Sequence, residues 1–419
     1  MIDLKYIRAN PDIIRKAICD KNEKADLGML LGKDEERRKL QYDFDNLRAR
    51  QNAVSQTIAQ KKRAKEDASE ELKEMSEVAS QIKILQSDLT EINAAVEELV
   101  LTIPNVPQTD VPIGKDESLN EIIRHVGEPP KMDFEPKDHL DIAMQNGLLD
   151  LPRGAKISGS GFPIYTGDGA KLERALINFM LEYHLQKHGY TELMVPLAVN
   201  RKSMTGTGQL PKLEDDMYHI SEDDLFLIPT AEVPVTNIYA DEVLSYKDLP
   251  KKYVAYTPCF RREAGSYGKD TRGLQRLHQF NKVEMVRFVE PEDSATALEE
   301  MLADAEDILM AFGLHYRVVS LCTGDLSFAS QKTYDLEVWA AGSGKYLEVS
   351  SVSNFGEFQA RRANIRYKDA EGKMRHLHTL NGSGLATPRL MIAIMEQYQK
   401  ADGSIQIPDV LRPFMELRV

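Results

Sequence analysis

The sequence has few cysteines and no long apolar run, and both scarcities exclude classes of protein. Its three cysteines, Cys19, Cys259 and Cys322, are scattered with no pair at metal-ligand spacing, so neither a disulfide scaffold nor a structural zinc site is expected. The most apolar stretch, 193–199, is far shorter than the ~20 residues that cross a membrane. The first residues carry no apolar run of the signal-peptide kind. We therefore expect a cytosolic protein with no membrane association.

Two phosphate-binding signatures are also missing. The chain contains neither a Gly-x-x-x-x-Gly-Lys-Ser/Thr loop nor a strand-linked Gly-x-Gly-x-x-Gly segment, so any nucleotide must be bound by another device. The net charge of −13 argues against non-specific nucleic-acid binding, although a local basic surface is compatible with it. With 419 residues, of which 42% are hydrophobic, the chain is long enough for two or three domains with a sizeable core.

Residues 34–99 contain neither glycine nor proline and carry a heptad pattern. The members of a first seam lie alternately four and three residues apart, with one polar interruption: Leu40, Phe44, Leu47, Gln51, Val54 and Ile58. A second seam continues without a break: Met75, Val78, Ile82, Leu85, Leu89, Ile92, Val96 and Leu99. Because a polar patch at 61–69 separates the seams, the pattern predicts an antiparallel helical hairpin. Its first helix, over about 34–65, would span roughly 50 Å.

Charge is distributed unevenly along this hairpin. Residues 33–66 contain ten basic and six acidic residues, a net charge of +4 in a chain of −13. A solvated coiled coil with mixed flanking charges explains this distribution. An arm whose first helix and tip bind a polyanion also explains it. The pattern alone leaves both interpretations open.

A domain boundary is expected near Pro104, because proline cannot continue a helix. It divides the chain into a helical N-terminal domain over 1–104 and a second domain over 105–419. Short β-rich runs in the second domain lie between helical segments without a regular βαβ rhythm: 192–195, 225–228, 253–256, 283–289, 346–350 and 359–367. This order favours an α+β fold with a largely antiparallel sheet.

The segment 259–284 is the richest in chemistry and predicts a strand, a long loop and a second strand. Its loop is cationic and holds three glycines: Gly265, Gly268 and Gly273. Arg261 could fork onto a phosphate or carboxylate, and Phe280 could stack on a base. Glu263 and Glu284 are acceptors for amino groups. Surface ion pairs and core packing would account for single residues here, but not for so long a cationic loop.

Two other segments offer oxygen ligands. In 228–234, Thr230 and Glu232 lie between prolines, which predicts either an acceptor-rich turn for an ammonium group or an ordinary turn. On a predicted strand, alternation places Glu348 and Ser350 on one face. Carboxylate and hydroxyl oxygens suit Mg²⁺, and the alternative is a structural edge strand.

A Gly-Ser-Gly strand end in 380–389 leads into a predicted helix. Thr387 and Pro388 fit the N-cap and the first helical turn. Arg389 is then unfavourably placed for the helix dipole unless an anion lies beside it. This segment therefore predicts a contact with a negatively charged ligand.

These segments together resemble the class II aminoacyl-tRNA synthetases. Residues 260–263 match the Phe-Arg-x-Glu of motif 2 (about 259–284), Arg389 and the preceding glycines match motif 3 (about 380–398), and the segment at about 172–196 resembles motif 1, the dimer element. Within that class the chain is similar to the bacterial-type seryl-tRNA synthetases. That similarity extends over the N-terminal hairpin and 206–212, 230–232, 271–274, 278–280, 353–355, 358–362 and 381–385.

The resemblance implies a class II antiparallel sheet flanked by helices and a helical arm that binds tRNA. It implies activation of L-serine with ATP and Mg²⁺, release of pyrophosphate, and transfer of serine to serine tRNA and to selenocysteine tRNA. It also implies a cytoplasmic homodimer without structural zinc.

The family's roles fall on matching positions of this sequence. Catalysis is implied for Arg261, Glu263 and Arg389. Serine binding is implied for Thr230, Ala231, Glu232, Arg261, Glu284, Asn381 and Ser383. ATP binding is implied for Arg261, Arg262, Glu263, Phe280, Glu348, Val349, Ser350, Ser351 and Arg389, with Glu348 and Ser351 on Mg²⁺. Contact with tRNA is implied for the loop at about 264–279 and for Arg37, Arg38, Arg48, Lys61, Lys62, Arg63, Lys65 and Arg272.

Two alternatives belong to other functional classes. A synthetase-like ligase could load an amino acid onto a carrier protein, but it would not need an arm of tRNA size. A non-catalytic synthetase paralogue, or a purely structural coiled-coil protein, would be expected to have lost ligand side chains. This sequence retains the ligand side chains that such a protein would be expected to lose, among them Arg261, Glu263, Glu284, Glu348 and Arg389.

Overall fold

The computed structural model describes residues 1–264 and 272–416. The chain divides into two compact units. One unit comprises Ile2–Ile18 and Glu23–Pro104, and the other comprises Met1, Cys19–Asn22 and Asn105–Val419. Where the chain is described, no helix is both long and apolar enough to cross a membrane.

The helices within the described residues are α1 (Leu4–Ala9), α2 (Pro11–Asp20), α3 (Leu27–Ala64), α4 (Ser69–Leu101), α5 (His139–Gln145), α6 (Leu151–Ser158), α7 (Asp168–His188), α8 (Arg201–Thr207), α9 (Glu232–Asn237), α10 (Ser294–Ala311), α11 (Phe358–Arg362), α12 (Thr387–Gln397) and α13 (Arg412–Glu416). The strands there are β1 (Glu121–Val126), β2 (Leu149–Asp150), β3 (Ile164–Tyr165), β4 (Thr191–Glu192), β5 (Ala198–Asn200), β6 (His219–Ile220), β7 (Leu225–Leu227), β8 (Val243–Ser245), β9 (Lys251–Phe260), β10 (Gln279–Val289), β11 (Tyr316–Ser320), β12 (Lys332–Ala340), β13 (Lys345–Gly356), β14 (Arg366–Lys368), β15 (Met374–His376) and β16 (His378–Ala386).

The helical unit is dominated by the hairpin of α3 and α4, and the predicted coiled-coil arm is confirmed. Every member of both predicted seams is buried or half-buried, so the heptad positions form the contact between the two helices. The side chain of Asp26 caps α3 by accepting a hydrogen bond from the Met29 amide (2.8 Å). Lys65 ends α3 in the left-handed conformation, with φ of 58°. That residue lets the chain reverse, because a left-handed C-cap satisfies the last helical carbonyls. The helix begins earlier than the predicted residue 34, and residues 61–64 of the polar patch are helical.

The larger unit is built on an eight-stranded sheet in the order β1-β11-β12-β13-β16-β10-β9-β4. Seven of its strands form a continuous antiparallel array, and only the short edge strand β4 pairs in parallel, with β9. The predicted α+β class with a largely antiparallel sheet is therefore confirmed. The apolar faces of α7, α10 and α12 pack on this sheet and form its main core, as expected when one sheet face is covered by helices.

One predicted strand is wrong. Of the run 359–367, residues 359–362 belong to the helix α11, and only 366–367 are in a strand, β14. The run Gln-Ala-Arg-Arg-Ala consists of good helix formers, and the amide of Ala363 donates to the Gln359 carbonyl (2.9 Å), as a helix requires. The apolar and polar residues of this run also alternate in a way that is compatible with a strand, which is why the sequence pattern predicts one. The difference matters because α11 carries Gln359 into the site.

Candidate active site

A cavity of about 610 Å³ opens on the central strands of the large sheet. Its lining includes twelve of the residues singled out from the sequence: Thr230, Glu232, Arg261, Glu263, Phe280, Glu284, Glu348, Val349, Ser351, Asn381, Ser383 and Arg389. These side chains come from β10, β13 and β16, from the segment that follows β9, from the turn before α9 and its first residue, and from the first turn of α12. The topology explains this gathering, because β10 and β13 flank β16 and therefore bring distant parts of the chain side by side.

One end of the cavity is rich in buried acceptors. Glu284 and Ser383 are directly opposed across β10 and β16, so their side chains lie on one face. The hydroxyl of Thr230 donates to Oε2 of Glu284 (2.9 Å). Glu232, at the start of α9, accepts a hydrogen bond from Gln359 (2.6 Å), and Asn381 also hydrogen-bonds to it. The arrangement can hold a small polar molecule with several donors.

Glu232 is electrostatically unusual. Burial raises the pKa of its carboxyl group to about 7, and the charge of Glu284 adds to the rise. A buried carboxylate next to another carboxylate favours either a proton or a cationic partner. This end of the cavity therefore has the character of an ammonium site.

Two residues at this end were not among those predicted from the sequence. Lys282 lines the cavity, and its ammonium group pairs with Oε2 of Glu284. Its signal was present, because Lys282 and Glu284 are two residues apart on one strand and share a face. The sequence pattern predicts a strand at Gln359, so nothing in the sequence indicates its hydrogen bond to Glu232.

The other end of the cavity combines a cation with an aromatic face. The guanidinium carbon of Arg261 lies 5.2 Å from the ring centroid of Phe280, and Arg261 Nε donates to the Pro229 carbonyl (3.4 Å). Phe280 and Cys259 are paired across β9 and β10, which places Arg261, two residues beyond Cys259, next to that ring. The pair presents a donor fork beside a flat apolar platform.

Glu263 and Arg262, which follow Arg261, diverge. Glu263 has φ of +52°, a turn conformation, and its carboxylate pairs with Arg276 (2.6 Å). Arg262 does not line the cavity, and its guanidinium donates to the Asp215 carbonyl (3.1 Å). Residues 265–271, which include the predicted Gly265 and Gly268, lie outside the described residues.

Arg389 lies in the first turn of α12 and reaches strand β13. Its guanidinium donates to the backbone carbonyl (2.8 Å) and to the carboxylate (3.2 Å) of Glu348, and to the Gln275 carbonyl (3.2 Å). The N-cap of α12 is Ala386, not Thr387 as predicted. The Thr387 hydroxyl donates instead to the buried carboxyl group of Glu173.

A β-bulge corrects the predicted face of Glu348 and Ser350. Opposite β12, Glu348 pairs with Glu337 and Ser350 with Leu336, so Val349 is an extra residue in β13. An extra residue reverses the alternation of side chains. Glu348 and Ser351 therefore line the cavity, whereas the Ser350 hydroxyl is buried and donates to the Ser383 carbonyl (2.6 Å).

Asp335, another residue that the sequence analysis missed, lies beside this carboxylate. It is opposite Ser351 across β12 and β13, and its Oδ1 is buried without a hydrogen-bond partner among the described residues. Burial, with the nearby charge of Glu348, holds the pKa of Asp335 well above its usual range. No group of three or more His, Cys, Asp or Glu side chains suited to a metal was found in 1–264 and 272–416.

The remaining predicted contacts lie elsewhere. Ala231 caps α9 and does not line the cavity. Arg272 pairs with Asp138 (3.1 Å). In the helical unit, Arg37 and Arg38 pair with the buried Asp34 (2.7 and 3.3 Å).

The other cations of the hairpin occupy its surface and tip. Arg48 lies over the Phe44 ring, 5.4 Å from its centroid, and Lys61 pairs with Glu71. Lys62, Arg63 and Lys65 are exposed at the end of α3. The hairpin thus presents basic groups at its tip.

Comparison with known proteins gives consistent matches over the whole chain. Residues 213–398 match the family model "tRNA synthetase class II core domain (G, H, P, S and T)", and residues 1–107 match "Seryl-tRNA synthetase N-terminal domain". The serine–tRNA ligase of Geobacter sulfurreducens is 51% identical, over 99% of this chain and 98% of that protein. The serine–tRNA ligase of Caldicellulosiruptor saccharolyticus is 53% identical, over 99% of each.

Solved structures give the same result. The seryl-tRNA synthetase of Pyrococcus horikoshii complexed with ATP has a TM-score of 0.93 and 35% identity, covering 100% of this chain and 99% of that one. The cytoplasmic serine–tRNA ligase of Naegleria fowleri in complex with AMP has a TM-score of 0.86 and 27% identity, covering 97% and 94%.

Proposed function

This chain belongs to the seryl-tRNA synthetase family of class II synthetases, and we propose that it activates L-serine with ATP and transfers the seryl group to the 3′ end of serine tRNA. The observation that carries this proposal is the cavity itself. Buried acceptors for an ammonium and a hydroxyl group, around Glu232 and Glu284, lie in one cavity with the Arg261–Phe280 pair. Such a cavity can hold a small amino acid against a nucleotide.

The acidic end binds serine in this proposal. Glu232 is the acceptor for the α-ammonium group, with Thr230 and Asn381 beside it. Glu284 and Ser383 hydrogen-bond the side-chain hydroxyl. A site that is built to bond a hydroxyl can reject the analogue that lacks it by about 10⁴-fold, because buried polar groups would be left unpaired. Alanine should therefore be a poor substrate.

The other end binds ATP, whose base stacks on Phe280. A serine carboxylate oxygen attacks the α-phosphorus, a new O–P bond forms, and the bond to pyrophosphate breaks. Both reactants are anions, so Arg261 between them lowers their repulsion and aligns them. Glu263 accepts from the adenine amino group, and Arg389 neutralises the γ-phosphate end. No protein nucleophile is required.

Mg²⁺ fits the donors near Glu348. The carboxylate and the Ser351 hydroxyl are hard oxygen ligands of the type it prefers. The buried Oδ1 of Asp335 next to them has no hydrogen-bond partner among the described residues, and a cation there would favour the ionised form of this carboxyl group. Glu348 and Ser351 would hold the ion. When bound, it supplies positive charge to the phosphate oxygens.

The helical unit and the loop after Arg261 are assigned to tRNA. We divide the chain into a tRNA-binding domain over 1–104 and a catalytic domain over 105–419. The exposed Lys62, Arg63 and Lys65, with Arg37, Arg38, Arg48 and Lys61, suit a phosphate backbone, and Arg272 suits the acceptor end. In this proposal, selenocysteine tRNA is a further substrate of the enzyme. In this proposal the protein is a homodimer whose interface includes the motif 1 segment, and the reaction takes place in the cytoplasm.

Aminoacylation with serine tRNA tests the whole proposal. The purified chain, ATP, Mg²⁺, labelled serine and a serine tRNA transcript should give acid-precipitable seryl-tRNA, and the selenocysteine tRNA transcript should give the same product. An alanine tRNA transcript is the control and should remain uncharged. Formation of seryl-adenylate without charging of either transcript would instead favour a carrier-protein ligase, and no adenylate would favour a non-catalytic paralogue.

A further inference from the structure

A buried lysine lies inside the amino-acid end of the cavity. Lys282 is on β10, its side chain is 8% exposed, and its ammonium group contacts Oε2 of Glu284, whose side chain is 1% exposed. Burying an ammonium group is costly unless it is paired, and a buried ion pair is often no more stabilising than apolar residues of similar volume. The position also lines the cavity. These facts raise the question of what the charge does there.

The charges at this end add to one unpaired negative charge. Glu232 and Glu284 contribute two carboxylates and Lys282 one ammonium group. The Cys259 thiol nearby is neutral, since burial raises its pKa, and the Arg261 guanidinium, beside Phe280, is matched by the substrate carboxylate in the proposed function. Gln359, Asn381, Thr230 and Ser383 complete the polar surroundings without charge. One substrate ammonium group therefore neutralises the site, provided that Lys282 has already neutralised Glu284.

The polar contacts of the Glu284 carboxylate are asymmetric. The Thr230 hydroxyl and the Lys282 ammonium group both meet Oε2. Oε1 accepts no hydrogen bond from the residues that the structure describes. A carboxylate oxygen can only accept a hydrogen bond. Oε1 is thereby presented as an acceptor for a hydroxyl group.

We propose that Lys282 is a specificity-determining residue of the amino-acid site, which pairs with the Glu284 carboxylate and orients it so that the site selects a hydroxyl-bearing side chain. Lys282 acts through Glu284 and is thus a positioning residue. This inference rests on the proposed function, because it assumes that Glu284 bonds the serine hydroxyl.

Loss of the ammonium group has two expected consequences. The bond from the serine hydroxyl to Glu284 loses charge assistance, which weakens selection against alanine by about tenfold. Glu232 also loses a nearby cation, so its carboxyl group retains a proton to higher pH. Lys282 lowers the pKa of Glu232 in the intact site, so serine binding in the variant should require a higher pH than in the wild type.

The test compares Lys282→Met, which removes the charge at similar length, with Lys282→Arg, which keeps it. Lys332→Met is the matched control, because Lys332 is also a strand lysine paired with a carboxylate (Asp110, 2.7 Å) but lies outside the cavity. Amino-acid-dependent ATP–pyrophosphate exchange gives kcat/KM for serine and for alanine from pH 6 to pH 9. Thermal unfolding of each variant verifies that it is folded. If Lys282→Met does not fold, Lys282→Gln carries the same prediction.

The expected result is a serine-to-alanine ratio reduced by about tenfold in Lys282→Met, with the pH transition of serine kcat/KM moved upward. Lys282→Arg should recover most of both, and Lys332→Met should match the wild type. A folded Lys282→Met with wild-type selectivity and pH profile would overturn the role of Lys282 while the proposed function stands. A wild-type chain that shows no exchange with serine would overturn both.

Discussion

Serine binding should depend steeply on pH, because of the charge on Glu232. The pKa of this carboxyl group is raised to about 7, chiefly by burial and then by the charge of Glu284. Only the ionised form can hold the substrate ammonium group. With this pKa, about nine-tenths of the Glu232 carboxyl groups are ionised at pH 8 but only about one-tenth at pH 6. Because the apparent affinity falls with the fraction of protein that can bind, serine KM should rise about tenfold as the pH is lowered from 8 to 6.

The folding stability of the free protein should depend on pH in the direction opposite to serine binding. A carboxyl group with a raised pKa in the folded state favours folding at low pH, and this contribution disappears as pH rises through the folded pKa. The free protein should therefore gain stability from Glu232 as pH falls from about 8 toward 5, whereas added serine should stabilise it most above pH 7.

Two measurements check this prediction. Serine KM is determined by pyrophosphate exchange from pH 6 to pH 8.5, with ATP KM as the internal control. Calorimetric titration of serine at pH 7 in two buffers of different ionisation enthalpy should reveal release of a proton. Glu232→Gln should bind serine weakly and with little pH dependence. A serine KM that stays constant between pH 6 and pH 8 would refute the assignment of the ammonium group to Glu232.

Three further predictions concern other parts of the chain. Arg261→Gln should lower the single-turnover rate of adenylate formation by about 10²–10³-fold, because it removes a preorganised donor from the reacting anions; an unchanged rate would exclude Arg261 from catalysis. Glu284→Gln should lower kcat/KM for serine by about 10–100-fold, whereas Glu284→Ala should also unfold at lower temperature, since it leaves Lys282 buried without its partner. Deletion of 34–99, with a short linker, should leave pyrophosphate exchange intact but abolish tRNA charging, and retained charging would contradict the role of the arm.

The parts of the structure that repeat or are local in sequence were predictable. The seams through Leu40–Ile58 and Met75–Leu99 record the contact between α3 and α4, because a helix presents every third or fourth residue to its neighbour. Motif residues such as Arg261 and Arg389 were recognised because their neighbours in sequence carry the same signature. Their common cavity then follows from the pairing of β10, β13 and β16.

Features that depend on pairing between distant strands were not predictable. The bulge at Val349 exchanges the faces of Glu348 and Ser350, and nothing in the local alternation reveals it. Gln359 reaches Glu232 from a helix that a period-two pattern concealed. Lys282 and Glu284 are visible as a pair two residues apart on β10, but their burial at the cavity depends on the strands and turns packed beside them. A buried lysine requires a charged partner, whereas water solvates a lysine on the surface.

ATP–pyrophosphate exchange with each of the twenty amino acids, in the absence of tRNA, tests the central claim most directly. Exchange that depends on serine, with alanine far weaker, is the result that the acceptor set of Glu232, Glu284 and Ser383 predicts. Exchange that depends on a different amino acid would contradict the assignment of this end of the cavity to serine, and the absence of exchange with any of them would contradict the proposal that the site activates an amino acid.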